Sequence, residues 1–168
     1  MVSEMKHKTL VVYFSYSCGN TKHIAKMVQN ALDADIAEIK PVHPYTGTYD
    51  EVVEQGHREV DRGFKPEIEP LPVALSDYDT IVVGTPTWWY TMSPAVLSLL
   101  TANNWAGKTV IPFMTNGGWP GHVIKDIEKA CRDAIFKHEK EIQFDSNGGN
   151  RMITPKQELD KWLSELNQ

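Results

Sequence analysis

The sequence predicts an α/β fold in which a doubly wound, five-stranded parallel sheet carries helices on both faces. Short runs rich in β-branched and other apolar residues alternate with stretches whose apolar residues recur at helical spacing. The most strand-like runs are apolar throughout, as in strands that are buried on both faces. Because right-handed crossovers place helices on both sides of a parallel sheet, this alternation predicts a doubly wound architecture.

Composition places the chain among ordinary globular proteins. Its 168 residues are 41% hydrophobic and 23% charged, and a chain of this size is expected to form one core. We therefore predict a single domain over residues 1–168, with 1–8 as a disordered N-terminal tail. The formal net charge of −5 disfavours a nucleic-acid-binding surface. Two cysteines outside any metal-ligand spacing, and the lack of a long apolar stretch, favour a cytoplasmic location without membrane association.

The first half of the chain begins with a strand, a loop and a helix. The run TLVVYF from Thr9 predicts a strand, and after the polar loop 15–21 the apolar residues of KHIAKMVQNAL recur at helical spacing. Residues Asp35–Ile39 predict a second strand. In the long connection 41–72, the segment YDEVVEQGHREVDRG predicts a helix that Gly56 interrupts.

The second half of the chain continues the same alternation. The polar segment SDYD precedes TIVVG, which predicts the third strand, and Pro94 begins a short helix, AVLSLLTAN. KTVIPFM predicts the fourth strand. An apolar stripe from Val123 to Ile135 predicts another helix, and EIQFD predicts the fifth strand. Thr154, three residues before Gln157, predicts a capping box at the start of the last helix.

Three loops are predicted to meet at a binding site, because ligands of such sheets bind beyond the carboxyl ends of the strands. They are 15–21, 85–92 and 115–121. The first offers hydroxyls, an amide and a glycine before a helix N-terminus, which are groups that bind phosphate. It has no lysine, unlike the nucleoside-triphosphate loop G-x-x-x-x-G-K-[ST]. A turn that only caps the helix uses the same residue types, so this alternative stays open.

The second and third loops offer groups that suit a flat aromatic ligand. Trp88, Trp89 and Tyr90 are consecutive, and because they cannot all face one core, we interpret them as walls for a flat ring. The adjacent glycines of TNGGWPG expose backbone groups to the polar edge of a ring, and Trp119 follows them. The alternatives are packing of the aromatic trio against a helix or a subunit, and a surface turn anchored by Trp119.

These residues resemble the flavodoxin family, in particular its short-chain branch, over nearly the whole chain. YFSYSCGNTKHIA resembles the family's phosphate-binding signature, GTPTWWY the loop that stacks on the isoalloxazine, and TNGG the loop at its pyrimidine end. The resemblance implies a flavodoxin-like sheet with strand order 2-1-3-4-5 and flavin mononucleotide (FMN) as cofactor. The residues implied to bind FMN are Ser15, Ser17, Cys18, Gly19, Asn20, Thr21, Pro86, Thr87, Trp88, Trp89, Tyr90, Thr115, Asn116, Gly117, Gly118 and Trp119.

Two features depart from the family pattern. Cys18 is an extra residue relative to the compact signature S-x-T-G-N-T. In electron-carrying members a glycine commonly follows the stacking tryptophan and permits a peptide flip, whereas here Trp89 follows Trp88. Since a bulky residue resists positive φ, we expect a weakly stabilised one-electron-reduced flavin. Two-electron reduction by a nicotinamide, or transfer to a quinone-like acceptor, is then favoured.

The sequence therefore predicts an FMN-binding electron-transfer protein. Its expected partners are FMN and either a redox partner protein or NAD(P)H with a small acceptor. One alternative is an FMN-dependent NAD(P)H oxidoreductase acting on quinone-like acceptors, and the other is a non-catalytic flavodoxin-fold binding module. No catalytic residue or metal ligand is assigned, and only His122, beside the third loop, is a candidate for contact with substrate. The connection 41–72 is expected to border the site, and the oligomeric state is left open.

Overall fold

A computed structural model describes residues 8–16, 18–147 and 149–167 of the protein. The predicted tail lies outside these ranges except for Lys8, whose carbonyl accepts hydrogen bonds from the amides of Asp79 and Thr80. In the described part of the chain, no helix combines the length and the apolar character that crossing a lipid bilayer requires.

The sheet is open and its strands fill five parallel positions. The strands are β1 (Thr9–Tyr13), β2 (Asp35–Glu38), β3 (Thr80–Trp88), β4 (Thr91–Met92), β5 (Thr109–Asn116), β6 (Ile135–Phe136) and β7 (Lys140–Gln143). The order is β2-β1-β3-β5, and both β6 and β7 pair with β5 in parallel to form the fifth position. β4 pairs with β3 in antiparallel orientation. The predicted order 2-1-3-4-5 is confirmed, with a divided strand at the edge.

Helices cover both faces of this sheet, as predicted. They are α1 (Asn20–Leu32), α2 (Tyr49–Asp61), α3 (Pro94–Thr101), α4 (Val123–Ala130) and α5 (Lys156–Glu165). Successive strand residues point to opposite faces. Accordingly, Val11 of β1 packs with residues of α1 and α5, whereas Val12 packs with residues of α2, α3 and α4. The parallel strands therefore carry a hydrophobic layer on each side, which explains their continuous apolar runs.

The predicted helix from Val123 to Ile135 is wrong beyond Ala130. The helix ends there, Asp133 has a φ of 67°, and Ile135 begins β6. Cys131 is fully buried after the last turn of the helix, so it fits the apolar stripe without belonging to the helix. A strand of two residues has no periodicity of its own, and its apolar residues extend the helical pattern by chance.

The predicted capping box at the last helix is also wrong. The hydroxyl of Thr154 accepts a hydrogen bond from the amide of Gln143 at 2.7 Å, and α5 begins after Pro155 without a side-chain cap. The threonine therefore fastens the loop before α5 to β7. A capping box does occur at α2, where Thr48 and Glu51 exchange side-chain and backbone hydrogen bonds.

Candidate functional site

A cleft of about 310 Å³ lies at the carboxyl ends of β1, β3 and β5. Parts of all three predicted loops line it, together with α2 and with Phe144, Asp145 and Gly149 after β7. The lining residues are Tyr16, Cys18, Asn20, Thr21, Tyr49, Val52, Val53, Gly56, Pro86, Thr87, Trp88, Trp89, Thr115, Asn116, Gly117, Phe144, Asp145 and Gly149. The connection 41–72 thus borders the cleft through α2, and the three loops meet at one edge of the sheet.

Several of the predicted cofactor-binding residues do not line the cleft itself. Those set back from the lining are Ser15, Gly19, Tyr90, Gly118 and Trp119. Ser17 lies outside the described residues. The remaining predicted residues all line the cleft. They are brought together by the carboxyl ends of three neighbouring strands.

The first loop ends at a helix N-terminus that a phosphate could occupy. Gly19, at the N-cap position of α1, has a φ of 77° and no side chain to accept the first helical amides. Ser15 accepts a hydrogen bond from the amide of Lys22 at 3.2 Å. Amides left over in the first turn, together with the helix dipole, attract an anion. The buried hydroxyl of Thr21 is instead hydrogen-bonded to that of Thr115 at 2.8 Å, which joins the first loop to the third.

The second loop is shorter than predicted, because β3 continues to Trp88. Trp88 pairs with Thr91 of β4, and Trp89 and Tyr90 form the two-residue turn between the strands. Their φ angles are 50° and 71°, values that such a turn normally assigns to asparagine and glycine. The expectation that Trp89 would not adopt positive φ is therefore wrong, and the structural reason for predicting a weakly stabilised one-electron state no longer holds.

Contacts on both sides hold this turn in its strained conformation. The indole of Trp89 donates a hydrogen bond to the carbonyl of Val53 at 2.9 Å. It also stacks on His57 of α2, with ring centroids 3.9 Å apart. On the other side, the amide of His122 donates to the carbonyl of Tyr90 at 2.8 Å. Tertiary contacts of this kind offset the cost of left-handed backbone at non-glycine residues.

His122, the candidate for substrate contact, belongs to the support of the turn. Its Nδ1 is hydrogen-bonded to the carboxylate of Asp126. The same carboxylate accepts a hydrogen bond from the hydroxyl of Thr91 at 2.5 Å. A Cβ on the neighbouring Gly121 would lie 2.3 Å from the carbonyl oxygen of Tyr90. The start of α4 is therefore closely packed against the turn, and His122 is not among the residues that line the cleft.

Trp88 is the centre of an aromatic cluster under α2. Its ring lies 4.9 Å from that of Tyr45, 5.6 Å from Phe14 and 6.3 Å from Tyr16, all in edge-on geometry. α2 continues through Gly56, so the predicted interruption of this helix is wrong. A Cβ at Gly56 would lie 3.0 Å from the Trp88 ring. Glycine is thus explained by the close approach of the helix to the tryptophan rather than by a break.

A buried carboxylate anchors this cluster. The hydroxyl of Tyr45 donates to Glu59 at 2.6 Å, and the side chain of Gln55 donates to the other carboxylate oxygen at 2.9 Å. Glu59 is only 6% exposed. Burial, reinforced by the hydrogen bond from Tyr45 to Glu59, raises the pKa of Tyr45 well above its usual range. The tyrosine is therefore a neutral donor that satisfies a buried acceptor.

Asp145 and Gly149, in the described residues 145–147 and 149–151 of the loop after β7, form a wall of the cleft that sequence reasoning missed. The carboxylate of Asp145 accepts hydrogen bonds from the amides of Asn147, Gly149 and Arg151 at 3.1, 2.9 and 3.0 Å. Bonds from Gly149 and Arg151 hold the pKa of Asp145 below its usual range. The sequence contains a signal for this turn, because an aspartate followed by SNGGN is typical of a turn in which the side chain accepts hydrogen bonds from nearby amides.

Comparison with known proteins places the chain in a family. The flavodoxin family model matches residues 8–166, while no curated protein matches the chain at a significant level. The fold is similar to that of a candidate flavoprotein from Bacteroides eggerthii, with 26% identity, a TM-score of 0.77, and coverage of 97% of this chain and 99% of the other.

Two further structures share the fold at lower identity. A flavoprotein from Lactobacillus acidophilus in complex with FMN has 21% identity and a TM-score of 0.68, covering 94% of this chain and 99% of its own. A short-chain flavodoxin associated with a bacterial microcompartment has 13% identity and a TM-score of 0.55, covering 94% and 93%. The resemblance seen in the motifs is therefore confirmed, and the chain belongs to the flavodoxin family.

Proposed function

We propose that this protein binds FMN in the cleft and moves electrons through it. The observation that carries the proposal is one cleft that joins an open helix N-terminus to an aromatic wall. The first suits the phosphate of FMN and the second suits its ring system. The FMN complex of the Lactobacillus flavoprotein, which shares this fold, supports the same assignment.

The phosphate end of the cleft fits the group. The N-cap of α1 is Gly19, which has no side chain to cap the helix, and Ser15 accepts a hydrogen bond from the amide of Lys22 alone. Asn20 and Thr21 line the cleft there. Amides and a helix dipole that point at one place bind a phosphate without a dedicated lysine in the loop.

The other end fits a flat ring. Trp88 and Trp89 lie on one side of the cleft, and the backbone of Asn116 and Gly117 lies at the end of the neighbouring strand β5. Gly117 has no side chain to keep a ring edge away from its backbone. Bound FMN supplies the one- and two-electron chemistry, while the protein binds and orients it, so the cleft needs no acid or base of its own.

A second candidate function is an FMN-dependent NAD(P)H oxidoreductase acting on a quinone-like acceptor. It is favoured by aromatic side chains exposed around the cleft: Trp89 is 40%, Tyr90 51% and Trp119 57% exposed. Exposed aromatic rings offer stacking surfaces to a second flat substrate. A redox partner protein would also contact exposed aromatic rings, so the experiment decides between the two functions.

The experiment follows the electrons after FMN has been added to the purified protein. NADH and NADPH are added without oxygen while the flavin absorbance is monitored, with and without a quinone. A carrier is expected to stay oxidised with both nicotinamides, yet to pass electrons to cytochrome c after reduction by dithionite. Rapid bleaching by a nicotinamide, with turnover on quinone, identifies the oxidoreductase. A protein that retains no flavin would contradict both the carrier and the oxidoreductase, and would favour the non-catalytic binding module.

A further inference from the structure

We propose that Asp145 is a positioning residue that builds the phosphate end of the cleft, an inference that rests on the proposed function. This carboxylate lines the same cleft as the start of α1. Charge alone would make an acidic residue unfavourable beside an anion site. Its hydrogen bonds give it a different role.

The carboxylate of Asp145 organises the loop around itself. One oxygen accepts from the amides of Asn147 and Gly149, and the other accepts from the amide of Arg151. A Cβ on Gly149 would lie 2.6 Å from a carboxylate oxygen. The loop therefore closes tightly on the aspartate, and its course depends on an acceptor with two oxygens.

The loop passes this order on to α1. The carbonyl of Gly149 accepts a hydrogen bond from the side-chain amide of Asn20 at 2.9 Å, and Asn20 is the first residue of α1. The other end of the loop is fixed to β5, because the amide of Phe144 donates to the carbonyl of Asn116 at 2.7 Å. The loop is thus a strut between the end of β5 and the amides proposed to bind phosphate.

The two roles of a carboxylate here predict opposite effects of its removal. If charge repulsion dominates, removing Asp145 strengthens the binding of a phosphate-bearing flavin. If positioning dominates, removing it weakens that binding, because the amides at the start of α1 lose their fixed place. Riboflavin, which has the same ring and no phosphate, is insensitive to either effect.

The test compares FMN with riboflavin by quenching of flavin fluorescence. For Asp145→Ala we expect the Kd for FMN to rise about tenfold, because the amides at the start of α1 would have to be ordered when FMN binds. The Kd for riboflavin should stay within about twofold of wild type. Asp145→Asn, which keeps one accepting oxygen, should fall between. Asp160→Ala on α5 removes the same charge from an exposed pair with Lys156 and serves as the control.

Other outcomes overturn the inference in distinguishable ways. Asp145→Ala that binds FMN as tightly as wild type, or more tightly, shows that the carboxylate does not position the site. Equal weakening for FMN and riboflavin shows general damage and also overturns it. Wild-type protein that binds neither flavin overturns the proposed function itself, whereas binding of both by wild type leaves that function standing.

A second readout needs no flavin. In the cofactor-free protein, Asp145→Ala should speed the hydrogen exchange of the Gly149 and Arg151 amides and shift the NMR signal of the Asn20 side-chain amide.

A third experiment measures FMN binding in the double variant Asp145→Ala with Asn20→Ala. The loss of FMN affinity should be smaller than the sum of the two single losses, because both residues act through one contact. Additive losses, or an unchanged Asn20 signal, contradict the route through Gly149.

Discussion

Tyr45 and Glu59 show how a single hydrogen bond supports the aromatic cluster around Trp88, a residue that lines the cleft. Tyr45 packs on Trp88 with its ring and satisfies the buried Glu59 with its hydroxyl. A buried acceptor that loses its donor keeps the full cost of desolvation. The aromatic ring and the hydroxyl of Tyr45 therefore contribute separately, and a phenylalanine separates them.

Tyr45→Phe should lower the free energy of unfolding by about 1–3 kcal/mol, because the ring packing stays and one oxygen of Glu59 loses its donor. Urea unfolding at neutral pH measures this. Tyr49→Phe, which removes an exposed hydroxyl, is the matched control and should change stability by less than about 0.5 kcal/mol. Equal stabilities of the two variants would show that Glu59 does not depend on Tyr45.

The same tyrosine predicts a pH dependence at the alkaline end. Its pKa is raised in the folded protein, whereas tyrosine in an unfolded chain ionises near pH 10. Its contribution to stability is therefore complete below about pH 10 and is lost as the pH rises toward the folded pKa. Above about pH 10, wild-type stability should fall more steeply with pH than that of Tyr45→Phe. Parallel stability curves for the two proteins in urea unfolding would contradict this.

Gly56→Ala tests the close approach of α2 to Trp88. Alanine in a helix interior normally adds about 1 kcal/mol relative to glycine, but here its Cβ would lie 3.0 Å from the Trp88 ring. We expect no net gain in urea unfolding and an altered near-UV circular dichroism spectrum, with weaker FMN binding because Trp88 is displaced. Glu54→Ala, at an exposed position of the same helix, is the control. A full gain with unchanged FMN affinity would contradict the account.

At the scale of elements, the turn between β3 and β4 is clamped by two helices. Trp89 contacts α2 through Val53 and His57, and Tyr90 contacts the start of α4 through His122. The strained backbone is therefore fixed by the packing of helices rather than by turn-forming residues. Any change that separates α4 from the turn should therefore move Trp89 and weaken ligand binding in the cleft.

Gly121→Ala is the change that separates them, because its Cβ would meet the backbone of Tyr90 at 2.3 Å. Gly63 has the same φ of +60° and open space around it, so Gly63→Ala costs only the backbone strain, about 1–2 kcal/mol. In urea unfolding, Gly121→Ala should be clearly more destabilising than Gly63→Ala, and it should also weaken FMN binding. Similar losses in both variants would mean that α4 does not support the turn.

Elements were predictable from sequence where a long apolar run or stripe fixed them. The central strands β1, β3 and β5 are buried on both faces and appear as continuous runs. β6 has two residues and no pattern of its own. The extension of β3 through Pro86 depends on pairing with Thr115 of β5, which is a tertiary contact. The positive φ of Trp89 was not predictable for the same reason, since its cause lies in Val53 and His57, far away in sequence.

At the scale of the whole molecule, the location of the cleft was predictable because it depends on topology. Parallel strands end at one edge, so the loops after them had to meet there. Two walls were not predictable in detail. Val52 of α2 depends on how the connection 41–72 folds back, and the place of the loop after Asp145 depends on the hydrogen bond between Asn20 and Gly149. The sequence indicates the local turn at Asp145, whereas the position of both walls beside the cleft is set by contacts between distant segments.

Ligand binding should raise the stability of the whole chain. A ligand that binds only the folded state, at a concentration about 100-fold above its Kd, adds about 2.7 kcal/mol. For a chain of this size, that corresponds to a rise in Tm of about 5–11 °C. Thermal unfolding with FMN, and with inorganic phosphate as control, measures it. A Tm that phosphate raises as much as FMN does would mean that the ring system contributes nothing.

The most direct test of the central claim is an equilibrium titration of the cofactor-free protein with FMN, followed by the quenching of flavin fluorescence. We predict saturation at one FMN per chain with strong quenching, because the ring would lie against Trp88 and Trp89. Trp88→Ala should bind FMN more weakly. Unquenched FMN at every protein concentration would contradict the account and leave a flavodoxin fold without a flavin.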